Sequence, residues 1–271
     1  MIGSRARAAL RLAGFLALTL PLMPVQALLL WLDSPLALRL PRAYPRLNCR
    51  VLGLEVERHG APSTARPTLF VANHVTYIDI IVISALIEAS FIAKREVASW
   101  PFFGWLAKLQ QTVFIGRRPA GVAEEADEIG RHLAQGRSLV LFAEGTSCDG
   151  QRVRPFKSSL LAVAEAAPGG KPVAVQPVTI AYPRLDGMPL GRSYRPMVAW
   201  FGGMTLPDHM FALLGMGRLT AVVEFHESVT LARFGSRKAL AVYCQETIGT
   251  ALAEINAGRR RPPGVPAGAS P

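Results

Sequence analysis

Along this chain of 271 residues, short apolar runs alternate with longer segments of helical spacing from about residue 48 onward. The runs at 48–56, 67–72, 90–93, 112–115, 138–142, 173–181, 197–201 and 219–225 predict strands, since each is brief, rich in β-branched or aromatic residues and closed by turn formers. Helices are predicted at 78–89, 101–109, 123–134 and 158–167. A last helix carries Leu240, Tyr243, Ile248, Leu252 and Ile255 along one face. Strands apolar on both faces, with helices between them, predict an α/β fold. It is a single domain with a largely covered mixed sheet flanked by helices.

The amino-terminal pattern differs. Arg5, Arg7 and Arg11 precede an apolar run over 12–32, broken by Pro21 and Pro24. Read unbroken, the run reaches the ~20 residues that a bilayer crossing needs. Read with the prolines as a corner, it is two arms of roughly 18 Å or less at about 1.5 Å per residue. Arginines flank the run on both sides (Arg39, Arg42, Arg46 and Arg50 follow), so the positive-inside rule assigns no direction. A membrane-associated helical hairpin with both ends on the cytoplasmic face suits this pattern better than a single span. A cleaved signal peptide is the competing reading, since Val25-Gln26-Ala27 resembles a cleavage site. The expected organisation is a membrane-associated helical segment over 1–45, an α/β domain over 46–257 and a disordered basic tail over 258–271.

Composition narrows the partners. A net charge of +11 points to an anionic partner, either nucleic acid or an anionic membrane surface. The basic residues lack interleaved exposed aromatics and a recognition motif, which argues against nucleic acid and for anionic membrane lipids. The three cysteines, Cys49, Cys148 and Cys244, are far apart and without metal-ligand spacing, which fits a reducing compartment. No metal site is expected.

Polar clusters close three of the predicted strands. The first is Asn73-His74, with Asp79 five residues on, at the start of a helix. An imidazole there can donate through one nitrogen to the carboxylate and accept a hydroxyl proton on the other. The bland reading is a capping box, Thr76-x-x-Asp79, with a structural histidine. The second cluster is Phe114-Ile115-Gly116-Arg117-Arg118, and the third is Phe142-Ala143-Glu144-Gly145-Thr146, followed by Arg152, Arg154 and Lys157. Gly116 and Gly145 can be simple turns, and strand-end charges are commonly solvated. Three such clusters in this order suggest one shared cause. His226 is a further catalytic candidate, with a strand-end structural role as its alternative.

Together the clusters resemble the glycerolipid acyltransferase superfamily of 1-acylglycerol-3-phosphate acyltransferases. His74 to Asp79 matches its His-x4-Asp motif, Phe114 to Arg117 its aromatic-x-x-Arg element, and Phe142 to Thr146 its Phe-Pro-Glu-Gly-Thr motif. The strand from Val173 to Val178 resembles the fourth motif, and Lys94, Glu96, Pro101, Phe103 and Gly104 resemble the linker between the first two. Ala143 stands where proline is usual, and Ser147 where phosphate-specific members carry arginine.

The resemblance implies acyl transfer from acyl-CoA or acyl carrier protein, without an acyl-enzyme and without a cofactor. The acceptor would be the free hydroxyl of 1-acyl-sn-glycerol-3-phosphate, giving phosphatidic acid in phospholipid biosynthesis. The stretch from Glu144 to Gly150 also resembles lyso-ornithine-lipid acyltransferases, which leaves that acceptor as an alternative. His74 would be the base and Asp79 its orienting group. Phe114, Gly116, Arg117, Glu144, Gly145 and Thr146 would bind substrate, with Arg117 as charge partner. The expected location is the cytoplasmic face of a bacterial inner membrane. A non-enzymatic basic membrane binder is the competing class, and the absence of a Gly-x-Ser-x-Gly elbow sets aside a serine hydrolase.

Overall fold

The computed structural model describes residues 3–38, 40–116, 122–166 and 170–260. It begins with helix α1 (Arg5–Trp31), whose first turn is capped by Ser4 Oγ accepting from the Arg7 N–H. Pro21 and Pro24 lie inside this helix, so the expected proline corner is not there. The chain turns instead after Trp31, through a short 3-10 helix at Pro35–Leu38, and returns as α2 (Leu40–Leu52). Proline's fixed φ is helical, and its cost is a lost hydrogen bond. Tertiary contacts hold the segment straight: Thr19 Oγ1 meets Tyr44 OH at 2.9 Å, and Gln26 Nε2 donates to the Ala37 carbonyl at 3.0 Å. A hairpin exists, but its arms are far longer than the sequence suggests. At 27 residues, α1 is long and apolar enough to cross a bilayer.

α2 also corrects the first strand. The expected strand over 48–56 is helix as far as Leu52, and β1 (Leu54–His59) begins only after Gly53. Gly53 has φ +71°, and a Cβ there would lie 1.9 Å from the Arg11 guanidinium. That guanidinium donates to the carbonyls of Leu214, Met216 and Gly217, fastening α1 to the far end of the domain.

The remaining strands are β2 (Thr68–Ala72), β3 (Ser90–Lys94), β4 (Val113–Ile115), β5 (Leu139–Phe142), β6 (Ala174–Leu185), β7 (Met188–Pro189), β8 (Leu219–Phe225) and β9 (Val229–Thr230). Their order in one sheet is β1-β8-β6-β2-β5-β3-β4, with β7 and β9 appended to β6. β2 is parallel to both β5 and β6, whereas β6 and β8 are antiparallel, so the sheet is mixed. Central strands are buried on both faces. Along β2, Phe70 and Ala72 pack toward α1, α2, α3 (Ile78–Ser84) and α6 (Leu206–Gly215). Leu69 and Val71 pack toward α5 (Val122–Ala134) and α7 (Arg237–Asn256). Burying each of the larger side chains, Leu69, Phe70 and Val71, stabilises the fold by about 1.5–3 kcal/mol.

Three further expectations change. The helix foreseen over 78–89 stops at Ser84, where the Leu86 N–H turns back to the Ile83 carbonyl and releases the chain into β3. The helix foreseen over 158–167 is a 3-10 helix, Leu160–Glu165. The strand foreseen over 197–201 is absent: Arg195–Met197 is a 3-10 turn, and Val198 and Ala199 are buried without joining the sheet. The backbone there pairs with loops instead, since the Trp200 N–H donates to the Val75 carbonyl at 3.0 Å. Apolar character recorded burial correctly and the partner wrongly. α4 (Phe103–Leu109) completes the helices. Of the expected tail, Arg260 is described and pairs with Glu224 and Glu254; residues 261–271 lie outside the described residues.

Candidate active site

The site grows from two adjacent parallel strands. β2 and β5 run side by side, with Ala72 opposite Phe142, so their carboxyl ends deliver Asn73-His74 and Ala143-Glu144 to one place. Loops beyond the carboxyl ends of such strands are where α/β sheets form sites. Asn73 is fully buried and bridges to β6: its Oδ1 accepts from the Ile180 N–H at 2.8 Å, and its Nδ2 donates to the Ile180 carbonyl at 2.9 Å. The chain thus leaves β2 in a fixed direction, and α3 folds Asp79 back toward His74.

His74 Nδ1 and Asp79 Oδ2 lie 2.8 Å apart. Oδ2 also accepts the backbone N–H groups of Val75 (2.7 Å) and Thr76 (3.0 Å). Oδ1 accepts the Tyr182 hydroxyl at 2.6 Å. Asp79 is 0% exposed, whereas the His74 side chain is 17% exposed. A carboxylate facing only donors fixes the imidazole tautomer with Nδ1 protonated, leaving Nε2 as acceptor. Nε2 has no hydrogen-bond partner among the described residues. The ring lies flat on Phe142, with centroids 4.0 Å apart. The expected capping box is half made: Asp79 Oδ2 accepts the Thr76 N–H while also meeting His74, but Thr76 Oγ1 has no hydrogen-bond partner among the described residues.

Glu144 sits behind the histidine. Its Oε1 accepts the His74 N–H at 2.8 Å and its Oε2 the Arg154 N–H at 2.9 Å, and the residue is only 2% exposed. Burial raises its pKa above the carboxylate norm, and the two backbone N–H groups oppose that rise. This carboxylate, expected to bind the acceptor, holds two loops together through these bonds. The Cys148 N–H donates to the His74 carbonyl at 3.0 Å, closing the same wall, and burial with the Glu144 charge pushes the Cys148 thiol up to about 12.

Gly145 has φ +68°, and a Cβ there would lie 3.0 Å from Lys157 Nζ, so the lysine ammonium lies across the glycine. Thr146 is exposed beside it. Ser147 is buried and donates its hydroxyl to the Trp200 carbonyl. Phe114 lies in β4 and Gly116 just after it, three strands from β2, which is about 14 Å at 4.8 Å per strand. The structure does not bring them to His74, and Arg117 lies outside the described residues. His226 bonds Thr179 Oγ1 at 2.8 Å beside Glu224, two strands from β2, in a structural setting. Among the described residues no cluster of ligating side chains could hold a metal ion.

Sequence reasoning missed Tyr182 and the apolar chamber. Tyr182 lies within β6, in a run buried from Val175 to Pro183, and a polar tip in such a buried stretch was the available signal. The chamber, about 230 Å³, lies between the amino-terminal hairpin, α3 and α4, with Phe15, Leu22, Tyr77, Ile81, Phe91 and Ala107 among its walls. Phe91, in the chamber wall, stacks against Phe142, the ring beneath His74, while His74 and Asp79 do not line the chamber themselves.

A His-Asp pair at the carboxyl ends of a sheet, with Asp79 buried and the imidazole partly exposed, has the geometry that group-transfer chemistry can use. Comparison with known proteins gives that class its family. A family model described as Acyltransferase matches residues 53–181. The chain is 42% identical to a lyso-ornithine lipid O-acyltransferase of Rhizobium meliloti, over 90% of this chain and 85% of that one. It is 41% identical to the Brucella abortus protein of that name, over 97% and 99%. A 1-acyl-sn-glycerol-3-phosphate acyltransferase of Neisseria gonorrhoeae is 33% identical over 75% and 76%. The crystal structure of the 1-acyl-sn-glycerophosphate acyltransferase PlsC of Thermotoga maritima shares the fold, with a TM-score of 0.61 at 23% identity, covering 82% of this chain and 80% of that one. The chain belongs to the glycerolipid acyltransferase family and is an acyltransferase.

Proposed function

We propose that the protein transfers a fatty acyl group from a thioester donor, acyl-CoA or acyl carrier protein, to the free hydroxyl of a single-chain membrane lipid. The observation that carries this reading is the His74–Asp79 pair, 2.8 Å apart, which leaves the second ring nitrogen without a hydrogen-bond partner among the described residues. His74 Nε2 takes the acceptor's hydroxyl proton as the oxygen attacks the thioester carbonyl. The oxyanion collapses, the C–S bond breaks, and the departing thiolate receives the proton from the imidazolium. Asp79 orients the ring and stabilises its charged form. Because the thioester supplies an activated carbonyl and His74 supplies the base, the step calls for no metal or cofactor.

For the acceptor, the first reading is 1-acyl-sn-glycerol-3-phosphate, giving phosphatidic acid. Lys157, across Gly145, then takes the part of the missing arginine as the anion's partner. The second reading is lyso-ornithine lipid. Its support is Ser147, buried and committed to the Trp200 carbonyl, together with the name carried by the Rhizobium and Brucella relatives. Exposed apolar side chains, Leu10, Leu20, Leu28 and Trp31 on α1 and Trp105 on α4, would seat the protein in a bilayer where the acceptor resides. A bacterial inner membrane, approached from the cytoplasmic face, is the proposed location.

Purified protein in mixed micelles should release thiol from an acyl-CoA only when a lyso-lipid is present. His74→Ala should stay folded and membrane-bound while transfer falls below about 1% of wild type, in line with the 10²–10⁴-fold contribution of a general base. Transfer retained near wild-type rates in that variant would refute the assignment of the base.

A further inference from the structure

A third member of the catalytic pair comes from β6. Tyr182 is 4% exposed, and its hydroxyl donates to Asp79 Oδ1 at 2.6 Å, on the oxygen that His74 does not use. Its position is fixed independently of Asp79. β6 is hydrogen-bonded to β2 from Thr68 to Ala72 and is tied again by the Asn73–Ile180 bridge, two residues before the tyrosine. The phenol therefore reaches the carboxylate from β6, within the register shift between Ala181 and Arg184, while His74 reaches it from a loop.

We infer that Tyr182 is a positioning residue that sets how strongly Asp79 draws the proton on His74 Nδ1, and so sets the basicity of Nε2. The proposal rests on the reading of His74 as the base. A hydrogen bond to one carboxylate oxygen withdraws charge from the other. With the phenol in place, Asp79 is a weaker acceptor for His74. Without it, the imidazolium is held more firmly and His74 loses its proton only at higher pH.

Other groups face the pair without replacing this link. Glu144, from the loop after β5, spends its carboxylate on the backbone N–H groups of His74 and Arg154. Cys148 bonds the Arg152 carbonyl, and Tyr77 bonds His209. Cys49, from α2, is a buried thiol, and Lys157 lies over Gly145, on the loop face. Burial keeps the Tyr182 phenol protonated, as a donor must be.

The test is titration of the His74 ring by NMR in full-length protein held in detergent, with the pH profile of transfer measured in parallel. In Tyr182→Phe the midpoint should move up by about half a pH unit or more, given that hydrogen bonds to charged groups are among the stronger ones. The acidic limb of kcat/KM should move with it. An unmoved midpoint in a folded variant overturns the proposal. Should Tyr182→Phe not fold, a fluorinated tyrosine at 182 keeps the shape and strengthens the donor. The midpoint should then fall, and an unchanged or raised one overturns the proposal. Thiol release by the wild type is read separately: its absence counts against acyl transfer, while the ring titration still decides the role of Tyr182.

Discussion

At Asp79 two functions share one carboxylate. It accepts the N–H groups of Val75 and Thr76, in the loop before α3, and holds His74 through the same oxygen. Removing it would disturb that loop and the proposed catalytic geometry together, so loss of activity on its substitution is a poor test of chemistry. Lys157 is a cleaner probe. Its backbone N–H is fixed to the Ala143 carbonyl at 2.9 Å, its side chain is exposed, and it forms no ion pair among the described residues. Lys157→Met should leave folding unchanged and raise KM for an anionic lyso-lipid about fivefold to tenfold, close to the 1.4 kcal/mol of a tenfold change. The KM for acyl-CoA should not move. Steady-state kinetics with lysophosphatidate, lyso-ornithine lipid and an uncharged monoacylglycerol checks this, the last being indifferent to the change. At this scale His74, Asp79 and the Glu144-Gly145-Thr146 turn were legible in sequence, because each lies in a short local pattern. Tyr182 was not, since it lies 103 residues from Asp79.

Among the elements, the amino-terminal hairpin and α4 shape the apolar chamber proposed to take the acyl chain. Together they supply half of its lining residues. Ala107, on α4, contributes little volume where a larger residue would intrude. Ala107→Phe should shorten the preferred acyl chain by a few methylenes, each worth about 0.8 kcal/mol of burial, while turnover with short donors persists. Competition among acyl-CoA donors of graded length reads this directly. The hairpin is also where sequence reading strayed furthest. Proline is a good predictor of breaks in isolated helices, but Thr19–Tyr44 and Gln26–Ala37 contacts hold α1 intact through both prolines.

Over the whole molecule, charge and apolar surface would act together in the proposed membrane attachment. A net charge of +11 would attract an anionic leaflet over a Debye length of about 8 Å in physiological salt, whereas the exposed apolar residues of α1 would need contact. Binding to vesicles containing anionic lipid should therefore weaken as salt rises to about 1 M, but persist. Binding to zwitterionic vesicles should be weaker at low salt and nearly salt-independent. Flotation assays across salt concentrations distinguish this from purely electrostatic attachment, in which the protein would leave both vesicle types.

Local order along the chain was enough to determine the α/β class, most strand positions and the His-x4-Asp unit, because periodicity and short-range spacing are properties of neighbours. Strand order was not of that kind. Only the folded sheet sets β2 beside β5 and β6, which brings His74, Glu144 and Tyr182 together, while it leaves Phe114 three strands away. The same holds for the chamber, whose walls come from segments far apart in sequence. Contacts between distant segments depend on how helices and strands pack, and no linear pattern carries that information.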